Sequence, residues 1–136
     1  NALLNLKINK DEMISIHDGV RPFISKKLIK KLYKSALLKG HAVPILTSND
    51  SLRMYIENTT TSKSVDREKY IFTQTPQVFR ANIIKNAYKK EKDRATDDIT
   101  LIEDYVQRVN LIKGEKINIK ITTKEDWDLA QKIIRS

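Results

Sequence analysis

Residues 13–46 read MISIHDGVRPFISKKLIKKLYKSALLKGHAVPIL. Met13 to His17 is a short, β-rich apolar run that stops at Asp18 and Gly19, the pattern of a buried strand running into a loop. Pro22 prevents an early helix, and Ser25 is placed to cap a later one. Beyond it Leu28, Ile29, Leu32, Tyr33, Ala36 and Leu37 recur at helical spacing, and Gly40 ends the helix as a glycine past the last turn does. Ala42 to Leu46 then reads as a second strand. Strand, helix, strand predicts a right-handed parallel crossover and an α/β sheet.

Outward from this unit the rhythm changes. Residues 51–73 are polar and β-leaning, centred on Asn58-Thr59-Thr60-Thr61-Ser62, with Met54, Tyr55 and Ile56 before and Tyr70, Ile71 and Phe72 after. This predicts a hairpin arm projecting from the sheet. A helix is expected from about Arg80 to Lys90. Thr96 is the candidate cap of another, with Asp97 and Asp98 in its first turn, where they suit the helix dipole. Val109 to Lys113 and Ile117 to Ile121 read as the last strands. Thr123 and Asp126 form a capping box for a terminal helix through Ile134. The whole, residues 1–136, reads as one partial α/β domain with the arm inserted at 51–73.

Composition narrows the partners. The 136 residues carry 26 Lys and Arg against 17 Asp and Glu, a net charge of +9, which attracts anions. Yet Lys27, Lys30, Lys31 and Lys34 fall opposite the apolar stripe of their helix, where charge belongs to a solvated face. No helix-turn-helix, RNA-recognition or zinc-finger signature turns that charge into a nucleic-acid site. No cysteine is present, which removes disulfide frameworks and cysteine-based zinc sites and fits a reducing cytoplasm. No apolar run reaches the length of a membrane span, and nothing resembles a signal peptide.

The candidate chemistry sits where strands end. Asp18 and Arg21 stand just past the first predicted strand, where open α/β sheets bind ligands. A carboxylate there can hold Mg²⁺, and an arginine can grip a phosphate through two N–H groups, although an Asp after a strand is also an ordinary turn former. Thr75, in Thr75-Pro76-Gln77, offers a hydroxyl that could donate to a phosphate or sugar oxygen, or simply belongs to a proline turn. Lys120, within an apolar run, is costly to desolvate unless it finds an anion. His17 reads as a strand-end histidine, since no partner is identifiable nearby in sequence.

Six blocks in register resemble the 2-C-methyl-D-erythritol 4-phosphate cytidylyltransferase family: His17 to Phe23, Asp50 to Arg53, Val65 to Arg67, Thr75 to Phe79, Thr96 to Asp98, and Asn118 to Thr123 with Glu125-Asp126. The resemblance implies a Rossmann-like nucleotidyltransferase fold, mainly parallel, with a β-arm that builds a homodimer. It implies transfer of CMP from CTP to a sugar-alcohol phosphate, with release of pyrophosphate, in non-mevalonate isoprenoid biosynthesis. By position, Asp18 would bind Mg²⁺ and nucleotide, Arg21 and Lys120 would stabilise phosphate charge, and Thr75 would touch the alcohol phosphate. Ser51 and Arg67, on the arm, would reach the substrate phosphate in the neighbouring subunit. Ile117 stands where the family often has an acid, so no second metal carboxylate is assigned.

The match covers the C-terminal two-thirds of such a protein. The glycine-rich triphosphate loop is therefore expected outside these residues, and the 136 residues alone are expected to be inactive. Ribitol-5-phosphate cytidylyltransferases share most of the blocks and form the nearest alternative. A self-associating module that binds phosphorylated ligands without turnover is the other.

Overall fold

The computed structural model describes residues 2–57, 60–90 and 97–135. In chain order they form α1 (Ala2–Asn5), β1 (Met13–Ile16), α2 (Lys26–Lys39), β2 (His41–Thr47), β3 (Arg53–Tyr55), β4 (Ser62–Ser64), β5 (Ile71–Thr73), β6 (Gln77–Arg80), α3 (Ala81–Lys90), α4 (Asp98–Ile102), β7 (Leu111–Lys113) and α5 (Lys124–Arg135). The fold class is α/β. No helix among the described residues is long and apolar enough to cross a membrane.

Each turn of the opening unit is set by local chemistry. The Ser25 hydroxyl accepts from the Leu28 N–H, supplying one donor at the open start of α2 with a partner. Gly40 takes φ 83° and closes the helix with an N–H bond to Ala36 O; a side chain there would be both strained and pressed against Ile83. Leu28, Leu32 and Ala36 are buried while the lysines of α2 face water, as the spacing predicts; Leu37 is exposed rather than inward.

Strands β1 and β2 do run parallel, but they are not neighbours. Strand β6 lies between them, antiparallel to both, with Phe79 facing Ile14 on one side and His41 on the other. On its far side β2 pairs with β7 in parallel. So β1, β2 and β7 point one way, and the reversed β5–β6 segment is threaded into the sheet. Alternation along the strands then splits the core. Ala42 and Val78 pack under α2, whereas Val43 and Phe79 join Ile84, Ala87, Ile99 and Ile102 from α3 and α4 on the opposite face.

The arm is smaller than the sequence suggests. Strands β3 and β4 make a separate two-stranded antiparallel hairpin, Met54 opposite Lys63, while Ile71–Thr73 belongs to the main sheet beside β2. Asn58, Thr59 and Thr96 lie outside the described residues; the cap of α4 is Asp97, whose side chain accepts from Thr100 N–H.

Ile117 to Ile121 is not a strand. Its N–H groups are spent locally, Asn118 on Glu115 O and Ile119 on Ile117 O, and Ile121 alone reaches across, to Val20 O. Without a partner edge among the described residues, the alternating isoleucines form a loop.

The terminal capping box forms as expected: Thr123 Oγ1 accepts from Asp126 N–H at 3.2 Å, and Asp126 Oδ2 accepts from the N–H groups of Thr122 and Thr123 at 3.0 Å each. These bonds hold the exposed Asp126 carboxyl below its ordinary range. Thr123→Ala should lower unfolding free energy by about 1 kcal/mol, read from denaturant midpoints at neutral pH; an unchanged midpoint would mean Asp126 caps the helix unaided.

Candidate active site

A cavity of 410 Å³ lies beyond the end of β1, lined by Asp18, Arg21, Thr73, Gln74, Thr75, Gln77, Asp97, Asp98 and Lys120. A larger space of 690 Å³ runs along β2 and β7, lined by Ile45, Leu46, Leu111 and Ile112 together with Asn49, Lys113 and Lys116. It contains none of the predicted site residues.

Three separate segments build the smaller cavity. The first is the turn after β1, closed by Arg21 N–H to Asp18 O at 3.0 Å. The second is the junction of β5 and β6. Ile45 faces Thr73 and Ala42 faces Val78, so the β5–β6 segment is longer by two than the stretch of β2 it follows. Gln74 N–H still bonds Pro44 O, and the surplus falls at Thr75 and Pro76. This bulge, with its cis Thr75–Pro76 bond, takes Thr75 off the ladder, and its hydroxyl accepts from Asp18 N–H at 2.9 Å. The third segment is the loop at 114–121, tethered to the first by the bond from Ile121 to Val20.

Electrostatics centre on Asp18. Its Oδ2 meets Arg21 Nε at 3.1 Å and Lys120 Nζ at 3.3 Å. Burial opposes ionisation of this carboxyl, but the hydrogen bonds and charges of Lys120 and Arg21 outweigh it and hold it below its ordinary 3.8. Arg21 is largely enclosed, 12 % exposed, and Lys120 is 48 % exposed. Lys120 is therefore no desolvated strand lysine; it is a half-exposed cation on a loop, free to turn toward an incoming anion.

Asn118 and Gln74 do the supporting work, and sequence reasoning passed over both. The buried Asn118 side chain donates to Thr75 O at 2.8 Å, and the Asn118 backbone carbonyl accepts from Arg21 Nη1 at 2.9 Å and from Gln74 Nε2 at 3.1 Å. Gln74 also bonds the backbone of Glu115 in both directions. Gly114 is required beside it, because a Cβ there would collide with Gln74 Oε1. For Asn118 the available signal was a polar residue between two isoleucines; Gln74, between two threonines, gave none. Asp97 and Asp98, expected only as helix-start residues, have further partners: Asp97 Oδ2 accepts from Thr73 Oγ1, and Asp98 accepts from the Tyr88 hydroxyl. Burial and the Asp98 carboxylate push the Tyr88 phenol above its ordinary value.

Thus Asp18, Arg21, Thr75 and Lys120 come together. Ser51 and Arg67 do not join them within this chain: both are exposed, and Arg67 Nη1 bonds Asn49 O at 2.6 Å.

Two cations and a carboxylate gathered beyond the strand ends of a mixed sheet make a cleft suited to an anion in an α/β domain. Comparison with known proteins narrows that class. The 2-C-methyl-D-erythritol 4-phosphate cytidylyltransferase (IspD) family model matches residues 1–136. The cytidylyltransferase of that name from Syntrophus aciditrophicus is 35% identical over 97% of the chain and 58% of that protein. Its counterpart from Azobacteroides pseudotrichonymphae is 38% identical over 98% and 60%. The crystal structure of the Thermus thermophilus enzyme superposes with a TM-score of 0.82 at 32% identity, covering 91% of this chain and 62% of that one. The chain belongs to the 2-C-methyl-D-erythritol 4-phosphate cytidylyltransferase family and spans somewhat under two-thirds of the length of these relatives.

Proposed function

We propose that the protein carrying this chain transfers CMP from CTP to 2-C-methyl-D-erythritol 4-phosphate, a step toward isoprenoid precursors in the cytoplasm. The observation that carries this reading is the convergence of Asp18, Arg21, Lys120 and Thr75 on one cavity in a chain matched throughout by that family. A phosphate oxygen of the alcohol phosphate attacks the α-phosphorus of CTP. The new P–O–P bond forms as the bond to the β-phosphate oxygen breaks, and pyrophosphate leaves. Two anions must approach, so Arg21 and Lys120 serve by offsetting phosphate charge, and the rigid Asn118–Gln74 support serves by fixing Arg21.

Asp18 is the residue that would hold Mg²⁺. A single hard carboxylate fits an ion that keeps water and substrate phosphates as its other ligands. Among the described residues no group of three His, Asp or Glu forms a self-sufficient metal cage. When bound, the ion supplies Lewis-acid stabilisation of phosphate charge. The test of the whole reading is pyrophosphate release by the full-length protein with CTP, Mg²⁺ and methylerythritol phosphate, beside ribitol 5-phosphate. Faster turnover of the ribitol substrate would overturn the substrate assignment.

The arm supports self-association into a homodimer. A lone hairpin is marginal in water; Met54 and Tyr55 on it, and Tyr70 and Phe72 at β5 of the main sheet, are half or more exposed. Ser51 and Arg67, away from their own chain's cavity, would then serve the neighbouring subunit's substrate phosphate. Arg67→Ala should raise KM for the alcohol phosphate about tenfold, the loss of one charge-assisted contact, with KM for CTP unchanged. Mixing it with an Asp18-substituted protein should restore part of the activity. Equal loss toward both substrates, or no restoration, would return Arg67 to a purely local role on Asn49.

A further inference from the structure

We infer that Thr75 meets its ligand as a hydrogen-bond acceptor, and that His17 in its neutral form is the positioning residue that makes it one. His17 Nε2 lies 3.0 Å from Arg21 O, and Nδ1 lies 2.8 Å from Thr75 Oγ1. A carbonyl oxygen only accepts, so in the neutral ring Nε2 carries the proton and Nδ1 keeps a lone pair. The Thr75 hydroxyl must therefore donate to Nδ1. Its oxygen already accepts from Asp18 N–H at 2.9 Å. A hydroxyl has one proton and two acceptor sites, so a single acceptor site remains for anything in the cavity.

A phosphate oxygen has no proton to give, whereas an alcohol hydroxyl does. Thr75 thus reads a hydroxyl of the polyol, while the phosphate belongs with Arg21 and Lys120. This reverses the sequence expectation of a threonine donating to a phosphate or sugar oxygen. A second observation points the same way. Gln77 lines the cavity, and its Oε1 is buried with no hydrogen-bond partner among the described residues. It is another acceptor awaiting a donor. The ligand's identity rests on the proposed reaction; the direction of the hydrogen bond does not.

Two measurements on the full-length protein separate these. Nitrogen-15 NMR of the His17 ring at mildly alkaline pH should show the Nε2–H tautomer, with Nδ1 unprotonated; the Nδ1–H tautomer overturns the inference. Pyrophosphate release is then measured with methylerythritol phosphate analogues in which one hydroxyl at a time is replaced by hydrogen or by fluorine, which cannot donate. At one position both replacements should lower kcat/KM about fivefold, the worth of one neutral hydrogen bond. Thr75→Val should erase that discrimination and His17→Phe should blur it. His17→Asn, which can keep an acceptor near Nδ1, should retain it. Fluorinated analogues that match the parent everywhere, or discrimination that survives Thr75→Val, overturn the inference. If no CMP is transferred at all, the reaction assignment falls, and the ring tautomer still decides the bond's direction.

Discussion

Asp18→Asn is expected to lower kcat/KM for pyrophosphate release by about 10²–10³-fold, some 2.7–4 kcal/mol of transition-state stabilisation. The substitution keeps volume, removes the charge and turns one of the two acceptor oxygens into an N–H donor. That charge holds Arg21 and Lys120 on one oxygen, at 3.1 and 3.3 Å, and in the proposed reaction it is the carboxylate that would hold Mg²⁺. Without it the two cations lose their common anchor just where phosphate charge would accumulate. The pair with half-exposed Lys120 is weakly stabilising, so whatever folding cost appears comes mainly from the enclosed Arg21. The pH profile gives an independent check. Asp18 is depressed in the folded chain, so whatever stability it adds is present above the ordinary 3.8 of an unfolded carboxyl and disappears as pH falls through the lower folded value. The Asn variant should lack that acid limb. A variant within tenfold of the parent rate, or one that unfolds at neutral pH, would remove Asp18 from the chemistry.

Gln74→Leu should be the most damaging change to the site's support. The side chain is 4 % exposed and donates to Glu115 O at 3.0 Å and Asn118 O at 3.1 Å while accepting from Glu115 N–H at 3.2 Å. Leucine fills the space but leaves those backbone groups without that partner. An unsatisfied buried group costs about 1–3 kcal/mol, so a loss of about 3 kcal/mol is expected, a large share of the 5–15 kcal/mol typical of a domain. The consequence reaches Arg21, because the Asn118 carbonyl that Gln74 steadies is also the acceptor for Arg21 Nη1. The variant should therefore show a lowered denaturant midpoint and, at temperatures where it remains folded, a reduced kcat. Full activity with only the midpoint lowered would mean that Arg21 is positioned by Asp18 alone. Gln74→Glu keeps the acceptor but sets a carboxylate oxygen against the carbonyls of Glu115 and Asn118, so it should lower the midpoint at least as much at neutral pH.

The parts of this fold that could be read in sequence are those whose cause is local. Ser25, Gly40 and Thr123 act on groups within a few residues, so helix ends were predictable from residue type. The amphipathic spacing of Leu28, Leu32 and Ala36 named the buried face of α2 for the same reason. Where local pattern lacked a partner it misled: Ile117, Ile119 and Ile121 alternate like a strand, but no neighbouring edge accepts them. The insertion of β6 between β1 and β2 was likewise invisible, because register between distant strands depends on which edges meet.

The site divides along the same line. Sequence by itself, through residue type, strand-end position and the spaced blocks, singled out Asp18, Arg21, Thr75 and Lys120 and the family to which they belong. Tertiary structure decided what each can do. His17 had no partner in sequence because its partner, Thr75, is 58 residues away, and the proton on Nε2 follows only from the carbonyl of Arg21 beside it. Asn118 and Gln74 became the frame of the site only when the loop at 114–121 folded against the bulge at Thr75-Pro76. Hydrogen-bond direction and support depend on distances between segments, and those distances exist only after the sheet has formed.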